Sequence, residues 1–403
     1  MAEPQTYTNR QRFHAVTASF LGWTMDAFDF FVVVFLFDAL AAHFKVSKQA
    51  IVGTLAWTLL MRPVGAFLFG ILADRYGRRG PLMANVIFFS LVEFACGLAP
   101  NYTTFLILRL LYGIGMGGEW GIGASLAMEM APEKKRGLLS GILQNGYAIG
   151  YLLAAVSYWV AFPVWGWRGM FFLGGAPALL ALYVRSKVPE SEAWKLHRAP
   201  SFQAILKALM QHWKTVIYLV VFMTFMLCLS HGTQDMYPDF LKTVHGFSGG
   251  VVSSVVILGN IGAIVGGIFF GQLSQKLGRR HTLVAALVLA IGAIPLWAFG
   301  NSMGWLMFGA FLMQVGVQGA WGIVPVHLSE LSPNAARGLV PGLTYQLGIV
   351  LAARTPLIEF QIKSRLGYQW AMTTFELATI VLLILIVLMG PEHHGRSFEV
   401  EGP

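Results

Sequence analysis

"GILADRYGRR" (residues 70–79) returns 201 positions later as "GQLSQKLGRR" (271–280). A longer stretch keeps the same offset: "GMGGEWGIGASLAMEMAPEKKRGLLSG" (115–141) returns as "GVQGAWGIVPVHLSELSPNAARGLVPG" (316–342). Matched positions include Trp120/Trp321, Gly121/Gly322, Glu129/Glu330, Pro132/Pro333 and Arg136/Arg337, and the offset also carries Asp38 onto Asp239. One offset held over most of the chain implies two homologous halves.

Composition says where those halves reside. Of the 403 residues 56% are hydrophobic and only 12% are charged, against about 25% charged in soluble domains. At roughly 20 apolar residues per helical span, the sequence predicts twelve spans. They lie near 14–41, 50–72, 82–99, 103–127, 138–162, 169–187, 215–240, 250–273, 283–299, 304–327, 339–361 and 370–390. The expected architecture is an all-α polytopic membrane protein with two pseudo-symmetric six-helix bundles. These are residues 1–187 and 214–403, joined by a polar linker at 188–213 and followed by a short tail. Parallel repeats of this kind place a substrate site between the halves near the bilayer midplane, with rocking as the access mechanism.

The net charge of +9 is topological. With the N-terminus placed inside, 19 of the 28 Lys and Arg fall in cytoplasmic segments, which is the positive-inside pattern. Both termini are therefore expected in the cytoplasm, the protein in the plasma (bacterial inner) membrane, and no nucleic-acid partner. Cys96 and Cys228 fall inside spans and form no disulfide framework. The first span is too long for a cleaved signal. "GIGMGG" (113–118) matches a dinucleotide fingerprint in letters only, since no strand precedes it; close helix packing explains its glycines.

Several stretches resemble the major facilitator superfamily: G-x-x-x-D-R-x-G-R-R after span 2, "LRLLYGIG" in span 4, "PESEAW" after span 6 and "PEHHGRSFE" after span 12. The second-half loop departs from the pattern, with Gln275 where the acid is expected. An inner gate built on that acid must be asymmetric here. Asp74, Arg75, Arg78, Glu129, Arg136, Glu330 and Arg337 are read as this gate. Single surface bridges contribute little at such a rim, but a network can bias a two-state element.

Ionisable residues inside spans are functional candidates by default. Asp26 and Asp29 in "WTMDAFDFF" share a helix face at i, i+3. An ionised carboxylate there is costly, so they are read with Glu119 and Asp235 as proton-coupling candidates, protons being the only coupling ion and no cofactor or metal being implied. Arg62, Arg109 and Arg354 each need a partner, an insertion cost of roughly 2.5–3.5 kcal/mol standing against each. Arg62 and Arg354 break the repeat, which suits substrate recognition, because a guanidinium grips a carboxylate with two bonds. Asn145 maps onto Gln346, and with Tyr345 these form polar shelves expected to face a substrate.

"SHGTQDMYPDF" (230–240) completes the set. His231/Asp235 and Ser230/Gln234 are i, i+4 pairs, and Pro238 should break the helix just beyond them. The stretch resembles the span-7 signature of the sialate/lactate:proton symporter branch, including Jen-type lactate permeases. Ser230, His231, Thr233, Gln234 and Asp235 match, while Leu227 and Asp239 depart from it. The resemblance implies proton-coupled uptake of a short monocarboxylate, such as lactate or pyruvate, by a monomer in a lipid bilayer, with a larger acid (sialate or aromatic) as the alternative. His231, Gln234, Arg62 and Arg354 are the expected carboxylate ligands. Ser230 sits at the repeat position of Asp29, so the span-1 aspartates and the span-7 cluster are expected to form one site. No nucleophile–base set argues for an enzyme.

Overall fold

The structure, a computed structural model, describes residues 7–398; residues 1–6 and 399–403, with the chain ends expected in the cytoplasm, lie outside the described residues. The first half comprises α1 (Asn9–Phe35), the short α2 (Phe37–Phe44), α3 (Lys48–Tyr76), α4 (Arg79–Gly97), α5 (Tyr102–Met130), α6 (Arg136–Gln144), α7 (Gly146–Leu173) and α8 (Ala178–Lys187). Two linker helices follow, α9 (Glu192–His197) and α10 (Phe202–Gln211). The second half comprises α11 (Trp213–Gln234), α12 (Tyr237–Thr243), α13 (Gly249–Leu277), α14 (Arg279–Phe299), α15 (Met303–Leu331), α16 (Val340–Ala352), α17 (Thr355–Leu366) and α18 (Tyr368–Met389). No strand occurs among the described residues.

Local sequence sets the helix starts. Thr8 and Gln11 form a reciprocal capping box before α1, and Ser47, Asn101 and Ser302 cap α3, α5 and α15 through side-chain oxygens. Each such cap contributes about 0.5–2 kcal/mol.

Among the described residues, nine helical stretches are long and apolar enough to cross a membrane. The remaining three of the twelve crossings are those with charge or a break in them. Helix α5 carries Arg109, Glu119 and Glu129. Gly166, at φ 61° and ψ −168°, interrupts α7, so that stretch holds the end of one crossing and the start of the next. The eleventh crossing is divided between α16 and α17 at Ala353 and Arg354.

Small residues let the helices approach. A Cβ on Gly117 of α5 would stand 1.9 Å from the Arg62 carbonyl oxygen of α3, so only glycine fits there. The close packing expected of "GIGMGG" is thus what its glycines do. Between the halves, a Cβ on Gly121 would stand 2.6 Å from the Cα of Gly342. The halves therefore meet backbone to backbone, and they do so on the side that carries the repeated basic loops.

Candidate functional site

The basic face is sealed by two matching clasps. In the first half, Arg78 donates from Nε and Nη2 to Glu129 at 3.2 and 2.9 Å. In the second half, Arg279 donates from the same atoms to Glu330 at 2.9 and 2.9 Å. Glu190 accepts the backbone N–H groups of Arg78 and Arg79, and Glu392 those of Arg279 and Arg280. Cross-half ion pairs then join the clasps: Arg337 to Glu129 at 3.6 Å and Arg136 to Glu330 at 3.9 Å. These pairs are almost wholly buried, so the small value expected of rim bridges does not apply to them. Burial pulls the Arg337 guanidinium down to about 10 against the opposing pull of Glu129.

The departure at Gln275 acquires a physical meaning. Asp74 pairs with Arg78 and reaches across to accept the backbone N–H groups of Gly338 and Leu339, at 2.7 and 3.0 Å, where α16 begins. Gln275 makes the pseudo-symmetric contact, accepting from Gly137 near the start of α6 at 3.1 Å. One helix start is thus held by a carboxylate and the other by a neutral amide. Arg75 stands apart from this network, donating to the Ala199 carbonyl of the linker at 3.4 Å.

Away from the sealed face, a cavity of about 280 Å³ lies between the halves. Phe31, Tyr147 and Tyr151 line one wall, and Thr233, Gln234, Asn260, Gln314 and Gln318 line the other. The rings form a ladder: Trp23 stacks on Tyr147 at 5.4 Å, Tyr147 meets Phe31 at 5.3 Å, and Phe31 meets Tyr151 at 4.8 Å. The amides interlock, Gln234 donating to Gln314 at 3.2 Å and Gln314 to Thr233 at 3.4 Å. None of the described residues lining this cavity is charged.

The expected site residues take distinct positions around it. Asn145 and Gln234 line the cavity. Tyr345 packs on Trp23, Trp120 and Trp321, with the Arg62 guanidinium 5.8 Å from its ring. Gln346 is buried, and neither end of its amide has a hydrogen-bond partner among the described residues. Arg354 is exposed at the start of α17 and does not line the cavity. His231 Nδ1 and Asp235 Oδ2 stand 3.0 Å apart, each side chain about 40% exposed, beside a break between α11 and α12. That break falls at Asp235 and Met236, inside the polar cluster, because Pro238 sits in the first turn of the new helix, where its missing N–H costs nothing.

Asp26 and Asp29 are fully buried within the first half, and their four carboxyl oxygens have no hydrogen-bond partner among the described residues. Asp26 lies within electrostatic reach of Arg62, Glu93 and Arg109, and Glu119 within reach of Asp26 and Arg62. Glu93 and Arg109 form a fully buried ion pair at 2.6 Å. Four carboxyls (Asp26, Asp29, Glu93, Glu119) thus share an interior with two guanidiniums, and the cluster is neutral only with two protons aboard. The expected union of the span-1 aspartates with the span-7 cluster is not what this arrangement gives. The aspartates turn into their own half, and Tyr147 on the cavity wall is within electrostatic reach of both Asp26 and Asp235.

Arg279, which holds Glu330, was missing from the expected gate, and the buried acids Glu93, Glu359 and Glu376 and the buried His327 escaped the sequence reading within the spans. For those four the signal was available, since each falls within a predicted span.

Two helical halves closed at one face around a central cavity define a membrane transporter. Residues 19–353 match the family model of the Major Facilitator Superfamily, and the chain belongs to that family. It is 32% identical over 374 residues to a carboxylic acid transporter protein homolog of Saccharomyces cerevisiae, covering 86% of this chain but 60% of the yeast protein. It is 28% identical to the sialic acid transporter NanX of Escherichia coli, covering 93% of each chain. The solved proton:xylose symporter XylE superposes with a TM-score of 0.77 at 22% identity, covering 98% of each chain, a likeness of fold.

Proposed function

We propose that the protein is a proton-coupled symporter that takes up a small organic monocarboxylate, with the basic face toward the cytoplasm of the plasma membrane. The observation that carries this reading is the uncharged cavity backed by a buried cluster with two more carboxyls than guanidiniums. A lone carboxylate entering that cavity would lose its water with no counter-charge on the lining to meet it. Arrival of a proton with it removes that cost.

In the proposed cycle, a carboxyl of the Asp26, Asp29, Glu119 and Asp235 set takes a proton while the cavity is open away from the basic face. The substrate carboxylate accepts hydrogen bonds from the Gln234 and Gln314 amides, with Arg62 behind Tyr345 drawn toward it. The halves rock once both charges are compensated, because closing the cavity around an uncompensated charge is costly. One chain supplies both halves of the cavity, which supports a functional monomer. Protons serve as the coupling ion, and no cofactor has a role.

The resemblance at Ser230–Asp235 favours lactate or pyruvate, and the carboxylic acid transporter homolog among its relatives supports an organic acid as substrate. A second reading, a larger or ring-bearing acid, is favoured by the aromatic wall of Phe31, Tyr147 and Tyr151. Purified protein in liposomes tests the proposal. Lactate, pyruvate, sialate and benzoate uptake is measured with and without an inward proton gradient. Gradient-driven accumulation of at least one acid is expected; accumulation of none would end the proposal.

A further inference from the structure

Helices α11, α17 and α18 enclose two carboxyls that the cycle above does not use. Glu359 of α17 and Glu376 of α18 are both 0% exposed, and none of their four oxygens has a hydrogen-bond partner among the described residues. Helix α11 is shaped around them. A Cβ on Gly232 would stand 1.9 Å from Oε1 of Glu376, so the carboxyl occupies the notch that this glycine leaves. One turn earlier, Thr355 Oγ1 lies 3.4 Å from Cys228 Sγ and ties α17 to the same face of α11.

The charges around the pair run the wrong way for a structural ion pair. The charged neighbour of Glu376 is Glu359, and that of Glu359 is Asp235. Cations on the packed elements are engaged elsewhere. Lys363 bonds Tyr368 and lies 3.9 Å from Asp239. Arg279 holds Glu330, and Arg280 donates to backbone carbonyls at the end of α18. Lys214 stacks on Trp213, and Arg354 and Arg365 are exposed at the start and end of α17. Of the remaining titratable groups on α11 nearby, Cys228 accepts from Thr355 Oγ1 and His231 is paired with Asp235. Buried polar groups without partners call for an explanation. Two adjacent unpaired anions in such a place would be strongly unfavourable.

We propose that Glu359 and Glu376 form a second proton-binding site, in the half that lacks the Asp26 cluster, filled through the His231–Asp235 pair. Burial is graded along that route. Asp235 is 39% exposed beside the helix break, while Glu359 and then Glu376 are fully enclosed. Protons reaching Asp235 from water pass to Glu359 and Glu376, and each half then carries its own load. The helix breaks between α11 and α12 and between α16 and α17 lie beside the site, so loading it acts on the two segments that can bend. This inference rests on the proton-coupled reading.

The test compares wild type with Glu359→Gln and Glu376→Gln in liposomes. The proton-to-substrate ratio is read from the proton gradient that just balances an opposing substrate gradient. Infrared spectra of the purified proteins in light and heavy water report protonated carboxyl groups independently of transport. The expected result is a ratio lowered by one in each Gln variant, with loss of one protonated-carboxyl band. Glu376→Asp, which keeps the acid, should retain the wild-type ratio, and Glu359→Gln carries the test should Glu376→Gln fail to insert. Unchanged ratios and bands in both Gln variants would overturn the second site and leave the coupled reading standing. A wild-type ratio of zero, or accumulation driven by sodium, would overturn both.

Discussion

Arg279 holds Glu330 with the same two guanidinium bonds by which Arg78 holds Glu129, 201 residues earlier in the chain. Each arginine stays within its own half, and the neighbouring Arg337 and Arg136 reach across to the acid of the opposite half. The sealed face is therefore two rigid clasps joined by crossings: these two ion pairs and the Asp74 and Gln275 contacts must part when the halves rock, while the clasps stay whole.

Asp74 and Gln275 should contribute unequally to that seal. A carboxylate at a helix start is worth typically 0.3–1 kcal/mol, and up to about 2 kcal/mol when partly buried. Asp74→Asn should thus loosen the α16 contact at Gly338 and Leu339 and raise the population open at the basic face several-fold. Labelling of a single cysteine introduced beneath the seal would measure this. Unchanged labelling would mean that Asp74 serves only its own half, through Arg78.

Phe398 closes the same face from the tail. Its ring lies 3.9 Å from the Arg136 guanidinium and 4.0 Å from that of Arg337, one from each half. Desolvated contacts of this kind are worth about 2 kcal/mol. Phe398→Ala should therefore shift the molecule toward opening at the basic face, whereas Phe398→Tyr should not. Spin-label distances between the halves would separate the two variants.

The two buried arginines of the first half should fail in different ways. Arg109 is locked to Glu93 at 2.6 Å with its guanidinium 4.1 Å from the Tyr112 ring, and removing one partner of such a pair costs about 3–5 kcal/mol. Arg109→Ala should lower the melting temperature and the amount of folded protein. Arg62 makes no ion pair of that kind and has no hydrogen-bond partner at Nε or Nη2 among the described residues, so Arg62→Ala should lower melting less than Arg109→Ala while abolishing uptake. Melting curves beside uptake rates decide between the roles.

The fold was legible because the 201-residue offset and hydropathy are properties of the chain alone, and the Arg–Glu clasps follow from the repeat. The site was legible only in part. Asp26, Asp29 and Glu119 announced themselves as charges in apolar helices, but sequence depth does not say toward which neighbour a side chain turns. Asp29 shares its depth with Ser230 yet faces Glu93, because α1 packs on α5 and α7 within its own half. Arg354 looked like a cavity cation for the same reason, and helix rotation at the α16–α17 break puts it outside. Glu359 and Glu376 were missed although each falls within a predicted span, and only the packing of α11, α17 and α18 shows that both are enclosed.

The two walls of the cavity allow substrate size to be tested without knowing the substrate. Tyr147 offers a ring face at the centre of the aromatic ladder, while Gln314 bonds both Gln234 and Thr233 on the opposite wall. A carboxylate depends on the amide wall whatever carries it, so Gln314→Ala should weaken every acid alike, by about tenfold for the loss of ~1.5 kcal/mol of hydrogen bonding to a charged group. Ring stacking depends on the other wall alone and is worth about 0.5–1.5 kcal/mol. Tyr147→Ala should then weaken benzoate several-fold more than lactate, and Tyr147→Phe should spare both. Competition against a labelled acid in liposomes gives the ratio directly. Equal loss for lactate and benzoate in Tyr147→Ala would mean that this wall seals the cavity and leaves the choice of acid to the amides.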